Sequence, residues 1–199
     1  MDRYVIDVVR DDLLIEIQTS GFASLGKKLR RLLGLGHQVR VVHPVPLTKT
    51  IVRLGSDGEI LGRRKSPKHG TRLDVFSELV YIKDLLDDPR LAVQVVLTIE
   101  DEYRKHDPDR AWRRRGWVVQ ERRLTSVEES IDLSTPDDFA ALLPGGLPAR
   151  FTTADLVDLT GCTRRVAQQT TYCLRHLGGI EVCGKAGRSV EYRSVLRLT

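Results

Sequence analysis

The sequence predicts an α/β fold in two parts. Residues 1–133 form an N-terminal domain with a mixed sheet, and residues 134–199 form a small domain of helices closed by a β-hairpin. Three observations predict this. Two β-branched runs joined by a short polar turn precede an amphipathic helix and a third apolar run, so antiparallel and parallel pairing meet in one sheet. More strand-like runs, separated by turn signals, fill the middle of the chain. After Leu133 the pattern changes to short capped helices and glycine turns.

Tyr4 to Val9 and Leu13 to Thr19 are the first two strands, with Arg10-Asp11-Asp12 as their turn. Alternation puts Leu14, Glu16 and Gln18 on one face of the second strand and Leu13, Ile15 and Ile17 on the other. Ser20 is placed to cap a helix whose buried stripe is Phe22, Leu25, Leu29, Leu32 and Leu33. Its Lys27, Lys28, Arg30 and Arg31 lie outside that stripe, and Gly34 and Gly36 end it. His37 to Val42 is an apolar third strand. Thr50–Leu54 and Glu59–Arg63 flank a glycine-rich turn and predict a hairpin. The basic loop RRKSPKHG, residues 63–70, follows. Asp74 starts a helix over Val75–Leu86. Leu91–Ile99 is a strand that runs into Glu100-Asp101-Glu102, and residues 111–123 are basic and hold both tryptophans. Ser134 or Thr135 before Pro136, Thr152 or Thr153, and Thr163 mark three helix starts. The third of these helices covers Arg164–Leu177, and Ile180–Arg193 closes the chain as two short strands.

A hydrophobic content of 41% is enough for a packed core and excludes a disordered chain. The formal charge of +5 and a pI near 9.3 favour an anionic partner such as nucleic acid. No apolar run approaches the ~18 residues of a membrane span, and MDRYVIDVVR lacks the apolar core of an export signal. Cys162, Cys173 and Cys183 are odd in number and form no CxxC pair, so reduced thiols in a cytoplasm are expected. The five histidines show no metal-ligand spacing.

Asp7, Glu16 and Gln18 are the polar side chains that these first strands present together. A carboxylate flanked by apolar residues is costly to bury unless paired or metal-bound. Asp7 and then Glu16-Ile17-Gln18, on adjacent strands with a helix and strand after, resemble the core of the PD-(D/E)XK, or restriction endonuclease-like, superfamily over about residues 4–45. The resemblance implies that Asp7 and Glu16, with the Ile17 carbonyl, hold Mg²⁺, which polarises a phosphodiester and helps form a hydroxide nucleophile. Gln18 stands where that superfamily usually has lysine, although some of its restriction endonucleases carry an acid-x-glutamine. Lys28, on the following helix, is the candidate to replace the lysine. The superfamily core usually begins with a helix and a strand before the first acid; with Met1 only three residues from the first strand, these are missing, truncated or replaced by the later hairpin. The competing reading is an ordinary alternating strand with ion pairs to Arg40 or Lys27.

The C-terminal region, about residues 135–199, resembles a winged helix-turn-helix. In its third helix Val166, Thr170, Cys173, Leu174 and Leu177 are assigned inward. Arg164, Arg165, Gln168, Gln169, Thr171, Tyr172, Arg175 and His176 are assigned outward. The resemblance implies that this helix enters a DNA major groove, where arginine and glutamine can bond base edges. Lys185 and Arg188, at the wing tip, would meet phosphate. Winged helices also serve as dimerisation modules, so a homodimer and a protein-binding scaffold stand beside the DNA reading. Two further stretches suit nucleic acid. RRKSPKHG could clamp a backbone, and WRRRGW interleaves aromatics with arginines as single-strand binders do; solvated loops and anchored tryptophans are the plainer readings. Glu100-Asp101-Glu102 could form a metal cluster; the plainer reading is a solvated strand terminus paired with nearby arginines. The whole chain also resembles an uncharacterised bacterial family that joins a nuclease-like core to a winged helix, on DVVRDDLLIEIQT, RRKSPKHG and WRRRGW. The expectation is a cytoplasmic DNA-binding protein, either a Mg²⁺-dependent endonuclease or a regulator or architectural protein that does not cut.

Overall fold

The computed structural model describes residues 5–107 and 116–195. Contacts divide the chain into two units. One gathers Met1–Val45, Thr71–Val95 and Ile131–Thr199, and the other gathers Pro46–Gly70 and Val96–Ser130. The boundary expected at 133/134 lies inside the first unit.

The first unit begins with β1 (Val8–Arg10) and β2 (Leu13–Ile17), paired antiparallel with Val8 opposite Ile15 and Arg10 opposite Leu13. Asp11 turns the chain at φ 53, a left-handed conformation that aspartate tolerates better than most residues. Helix α1 (Phe22–Gly34) crosses to β3 (Gln38–Leu54), whose Gln38–Val42 stretch pairs parallel with β2. β4 (Ile60–Lys65) pairs antiparallel with β3. With β5 (Leu91–His106) and β6 (Trp117–Leu133) the sheet has the order β1-β2-β3-β5-β6, and β4 branches from β3. The chain is therefore an α/β protein with a mixed sheet.

The α1 stripe is as its spacing predicts. Phe22, Leu25, Leu29, Leu32 and Leu33 are all buried, and burying each such side chain stabilises by roughly 1.5–3 kcal/mol. The start of the helix differs from expectation. Ser20 makes no cap. Gly21, at φ 84, occupies the N-cap position without a side-chain bond. Glu78 supplies it instead, its Oε2 accepting from the Gly21 and Phe22 N–H groups at 2.9 Å each. A carboxylate there also meets the positive end of the helix dipole.

Two long strands replace pieces that the sequence separates. β3 runs through Pro44 and Pro46 without a break. Both prolines fall between Val42, the last residue paired with β2, and Thr50, the first paired with β4. A proline is tolerated in a strand where its nitrogen is not needed by a neighbour. β5 continues past Ile99 to His106 and takes Glu100–Glu102 into the sheet. The single helix expected over Val75–Leu86 is broken into a 3-10 turn at Arg72–Val75, the short α2 (Phe76–Leu79) and a second 3-10 turn at Lys83–Leu85. Leu73, Val75, Phe76, Leu79, Ile82 and Leu86 are all buried. Val75, Phe76, Leu79, Ile82 and Leu86 keep the spacing of one helical face, but Ile82 leaves helical geometry at φ −122 and divides the stretch.

The C-terminal helices are α3 (Pro136–Ala140), α4 (Thr153–Thr160) and α5 (Arg164–His176), followed by β7 (Ile180–Ala186) and β8 (Ser189–Ser194). Thr135, Thr152 and Thr163 cap them, so the first two starts resolve to the residues beside the helix. Helix α5 packs on α4, α3 and α2. The three cysteines are unpaired. Burial pushes the Cys173 thiol up to about 12, so it packs as a small apolar side chain. No described helix is long and apolar enough to cross a membrane.

Glu78→Ala is expected to lower stability by about 1–2 kcal/mol, read as a lower urea midpoint. Ser20→Ala should leave the midpoint within about 0.5 kcal/mol of wild type. The opposite ranking would return the cap to Ser20.

Candidate functional site

The start of the sheet assembles the first candidate. The β1–β2 pairing ends at Val8 opposite Ile15, and Asp7 lies in a bend one residue ahead of β1. Asp7 Oδ2 accepts from the Ile17 N–H at 2.8 Å, which ties its carboxylate to the strand that carries Glu16. Glu16 is 4% exposed, whereas the Ile17 side chain is 53% exposed. The buried face of β2 thus carries the carboxylate, and the aliphatic residue faces out.

Glu16 is buried because Lys28 reaches it. The Lys28 Nζ comes from α1 onto Glu16 Oε1 and also donates to the Val5 carbonyl. Lys28 is therefore drawn in, unlike the exposed Lys27 beside it. The partners expected from an ordinary strand, Arg40 and Lys27, are not used by Glu16. Arg40 pairs instead with Asp132 at 3.4 Å. Gln18 turns away from this pair, its Nε2 donating to the Ser20 carbonyl.

Asp7 Oδ1 and Glu16 Oε2 take no protein hydrogen bond among the described residues. Two carboxylates and a carbonyl are a donor set that Mg²⁺ accepts, since it commonly keeps water and substrate oxygens for its other positions. Among the described residues no group of three or more His, Cys, Asp and Glu comes together. A metal here would rest on Asp7, Glu16 and the Ile17 carbonyl alone.

Sequence reasoning passed over two neighbours. His43, 5% exposed, has Nδ1 2.7 Å from the Gln18 carbonyl, to which it donates, and meets Phe22 edge-on at 5.1 Å. Burial holds its imidazole below the usual range, outweighing the Gln18 carbonyl and the Glu78 charge, which both act upward. Glu78 caps α1 from the α2 segment. Neither had a motif to announce it, though an isolated histidine closing an apolar run is a signal of burial.

Helix α5 offers the second candidate. Arg164, Arg165, Gln168 and Arg175 are exposed on it, and Lys185 and Arg188 are exposed on the hairpin. Among the described residues none of these cations has a carboxylate partner. Tyr172 and His176 are also exposed as expected, each with a neighbour. Tyr172 lies under Lys83, whose Nζ is 5.9 Å from the ring centre, and His176 Nε2 is 3.4 Å from Asp84 Oδ1. Thr171, assigned outward, is 2% exposed because α2 packs on that side of the helix. Gln169 is half-buried, and its Oε1 has no partner.

The second unit corrects the reading of the acidic run. Glu100 and Glu102 are buried within β5. Thr98 Oγ1 donates to Glu100 at 3.1 Å, and Glu102 pairs with Arg104 at 2.5 Å and Arg122 at 3.4 Å. Burial pushes the Glu102 carboxyl up, but Arg104, Lys49 and Arg122 together hold it below the usual range. The expected arginine partners are present, but the solvated terminus is not. Arg63–Lys65 of RRKSPKHG lie in β4, and Trp112 and Arg113–Arg115 of WRRRGW fall outside the described residues.

These features define an α/β protein whose mixed sheet carries a buried carboxylate paired from its crossover helix. The chain belongs to the family described as "Domain of unknown function (DUF8091)", which matches residues 1–134. It is also similar to an "Uncharacterized protein" of Treponema pallidum (strain Nichols), 33% identical over 191 residues, or 95% of this chain and 74% of that one. No solved structure matches it significantly.

Lys28→Met should cost about 3–5 kcal/mol, because it leaves a buried carboxylate unpaired. The double variant with Glu16→Leu should recover most of that loss in urea unfolding; equal losses in the single and double variants would disprove the pairing. For His43, the folded state disfavours the protonated ring, while the unfolded state titrates near 6.5. The unfolded chain therefore binds more protons at and below that pH, and stability should fall as pH drops through about 6.5 toward 5. His43→Gln should flatten that slope.

Proposed function

We propose that this chain is a DNA-binding protein with a PD-(D/E)XK-like core that cleaves phosphodiesters using Mg²⁺. The observation that supports this most is the Lys28 ammonium on Glu16. It supplies from the crossover helix the cation that the strand lacks at Gln18. The hairpin, the crossover and the parallel β3 are the elements such a core would need around it.

Mg²⁺ bound by Asp7, Glu16 and the Ile17 carbonyl would polarise a phosphodiester and lower the pKa of an attacking water. The Ile17 N–H that Asp7 accepts, tying it to the strand of Glu16, supports this reading. Glu16 is held by Lys28, and in this reading the same ammonium would stabilise negative charge developing on the phosphate. In this reading residues 135–199 act as a winged helix. Arg164, Arg165 and Gln168 read base edges near the start of α5, and Lys185 and Arg188 hold phosphate. The three unpaired thiols suit a reducing cytoplasm.

A second reading, a DNA-binding regulator or architectural protein that does not cut, is favoured by Gln18, whose amide is spent on the Ser20 carbonyl. It requires binding that weakens with salt and is indifferent to metal.

Nicking of supercoiled plasmid with Mg²⁺ or Mn²⁺ separates the two. Wild type should nick, Glu16→Ala should not, and Lys28→Met should be slower by about 10²–10³-fold. Equal nicking by wild type and Glu16→Ala, or none by either, rejects the catalytic version. Arg164→Ala with Gln168→Ala should weaken duplex binding in both versions; unchanged binding would remove α5 from the interface.

A further inference from the structure

The second unit holds a cleft that the nuclease reading leaves unused. It lies along the β3–β4 hairpin beside the start of β6, measures about 220 Å³, and is lined by residues that include Ile51, Arg53, Leu61, Gly62, Arg64 and Trp117. The hairpin register explains it. Arg53 is opposite Gly62 and Ile51 is opposite Arg64. Cross-strand partners and alternate residues share a face, so these four residues sit together. Ile51, 5% exposed, gives the cleft an apolar floor.

Three details give the cleft a chemistry. The Arg53 guanidinium lies 4.8 Å over the Trp117 indole, and His106 meets the same ring edge-to-face at 5.4 Å. A cation is thus held over an indole that His106 braces from its edge. Next, no carboxylate among the described residues pairs with Arg53 or Arg64, although Arg63 pairs with Asp101 at 3.5 Å. Last, a Cβ built on Gly62 would meet nothing within 4 Å, and the backbone there is ordinary for any residue. Glycine is not required by the strand, and its bareness keeps the space beside Arg53 open. The surroundings are basic: residues 46–70 hold six Lys and Arg against two Asp and Glu.

A guanidinium over an indole, an apolar floor and a second arginine with no carboxylate partner among the described residues suit a planar aromatic group joined to an anion. Nucleic-acid bases stack on arginine planes and indoles in this way. The volume is below the roughly 300–1,000 Å³ of sites that enclose a drug-sized ligand, so it fits one flat ring with the rest of the strand outside. A duplex keeps its bases in the stack, out of reach. An acidic peptide would satisfy the charge but make no use of the guanidinium plane.

We propose that this cleft takes one unpaired base of a single-stranded nucleic acid, stacked on the Arg53–Trp117 pair, with an adjacent phosphate on Arg64. The site shares no residue with Asp7, Glu16 or α5, so it stands or falls apart from the nuclease reading.

The test uses the full chain carrying Trp112→Phe, which leaves Trp117 as the sole indole. An oligothymidylate of about 12 nucleotides should quench its fluorescence saturably. Arg53→Ala and Gly62→Leu should each weaken binding by about tenfold while circular dichroism stays unchanged; the leucine fills the cleft without strain. Arg64→Ala should reduce the salt slope by about one. Arg164→Ala with Gln168→Ala should leave the quenching intact even if duplex binding is lost, and Glu16→Ala should not alter it. The proposal is overturned by an absence of quenching, by parental affinity in Gly62→Leu, or by equal quenching from an abasic oligomer or polyglutamate.

Discussion

The Glu16–Lys28 pair is the constraint on which the N-terminal architecture turns. A carboxylate 4% exposed on a short strand would cost several kcal/mol if it had no partner. The ammonium that satisfies it comes from the second turn of α1, and this fixes the rotation of the helix on the sheet. Phe22, Leu25 and Leu29 then fall on the buried side, and the same ammonium gathers in the Val5 carbonyl ahead of β1. An apolar pair of similar size would hold these elements as well or better, because a buried ion pair rarely repays its desolvation. That a charged pair occupies the position is therefore weak evidence about stability. It says more about use, and this is why the functional reading begins there.

The early fold was legible because its signals are local. The hairpin turn at Asp11, the stripe of α1 and the glycines after it are set by neighbouring residues, and each lies where its spacing puts it. The threonine caps of α3, α4 and α5 were legible for the same reason. What escaped was set by distant partners. Glu78 is 56 residues from the amide of Phe22 that it caps. The Val75–Leu86 stretch has the composition of a helix, but its apolar residues face more than one neighbour, and packing overrides propensity. Pro44 and Pro46 look like breaks until the registers of β2 and β4 show where β3 is left without either. The candidate site divides similarly. Glu16 was conspicuous as a charge in an apolar run and Lys28 as a lysine within reach, whereas the inward turn of Lys28 and the outward turn of Gln18 depend on rotamers that no spacing encodes.

The two units differ in how they manage charge. The first buries a broad apolar core that includes Phe22, Phe76, Phe139 and Leu174, with Glu16 as its charged exception. The second is more polar: Glu100, Glu102 and Thr98 are buried beside Ile51, Val52 and Leu97. Its carboxylates neutralise one set of cations from within, Arg104 and Arg122 among them. A second set, with Arg53 and Arg64, has no acidic partner among the described residues. Positive potential in this unit thus follows from the placement of its acids as much as from its number of arginines.

Those unneutralised cations have a further effect. β4 is exposed along its whole length and carries Ile60 and Leu61 at 52% and 60% exposure. A strand with bare aliphatic side chains and, among the described residues, β3 alone as its neighbour invites another strand to pair with it. Arg64 and Lys65 follow closely, and a second copy adding itself there would bring like charges within about 5 Å. The basic run is thus a guard against fibril-like association. Neutralising it would alter how the protein behaves in concentrated solution well before it altered how firmly the hairpin is folded.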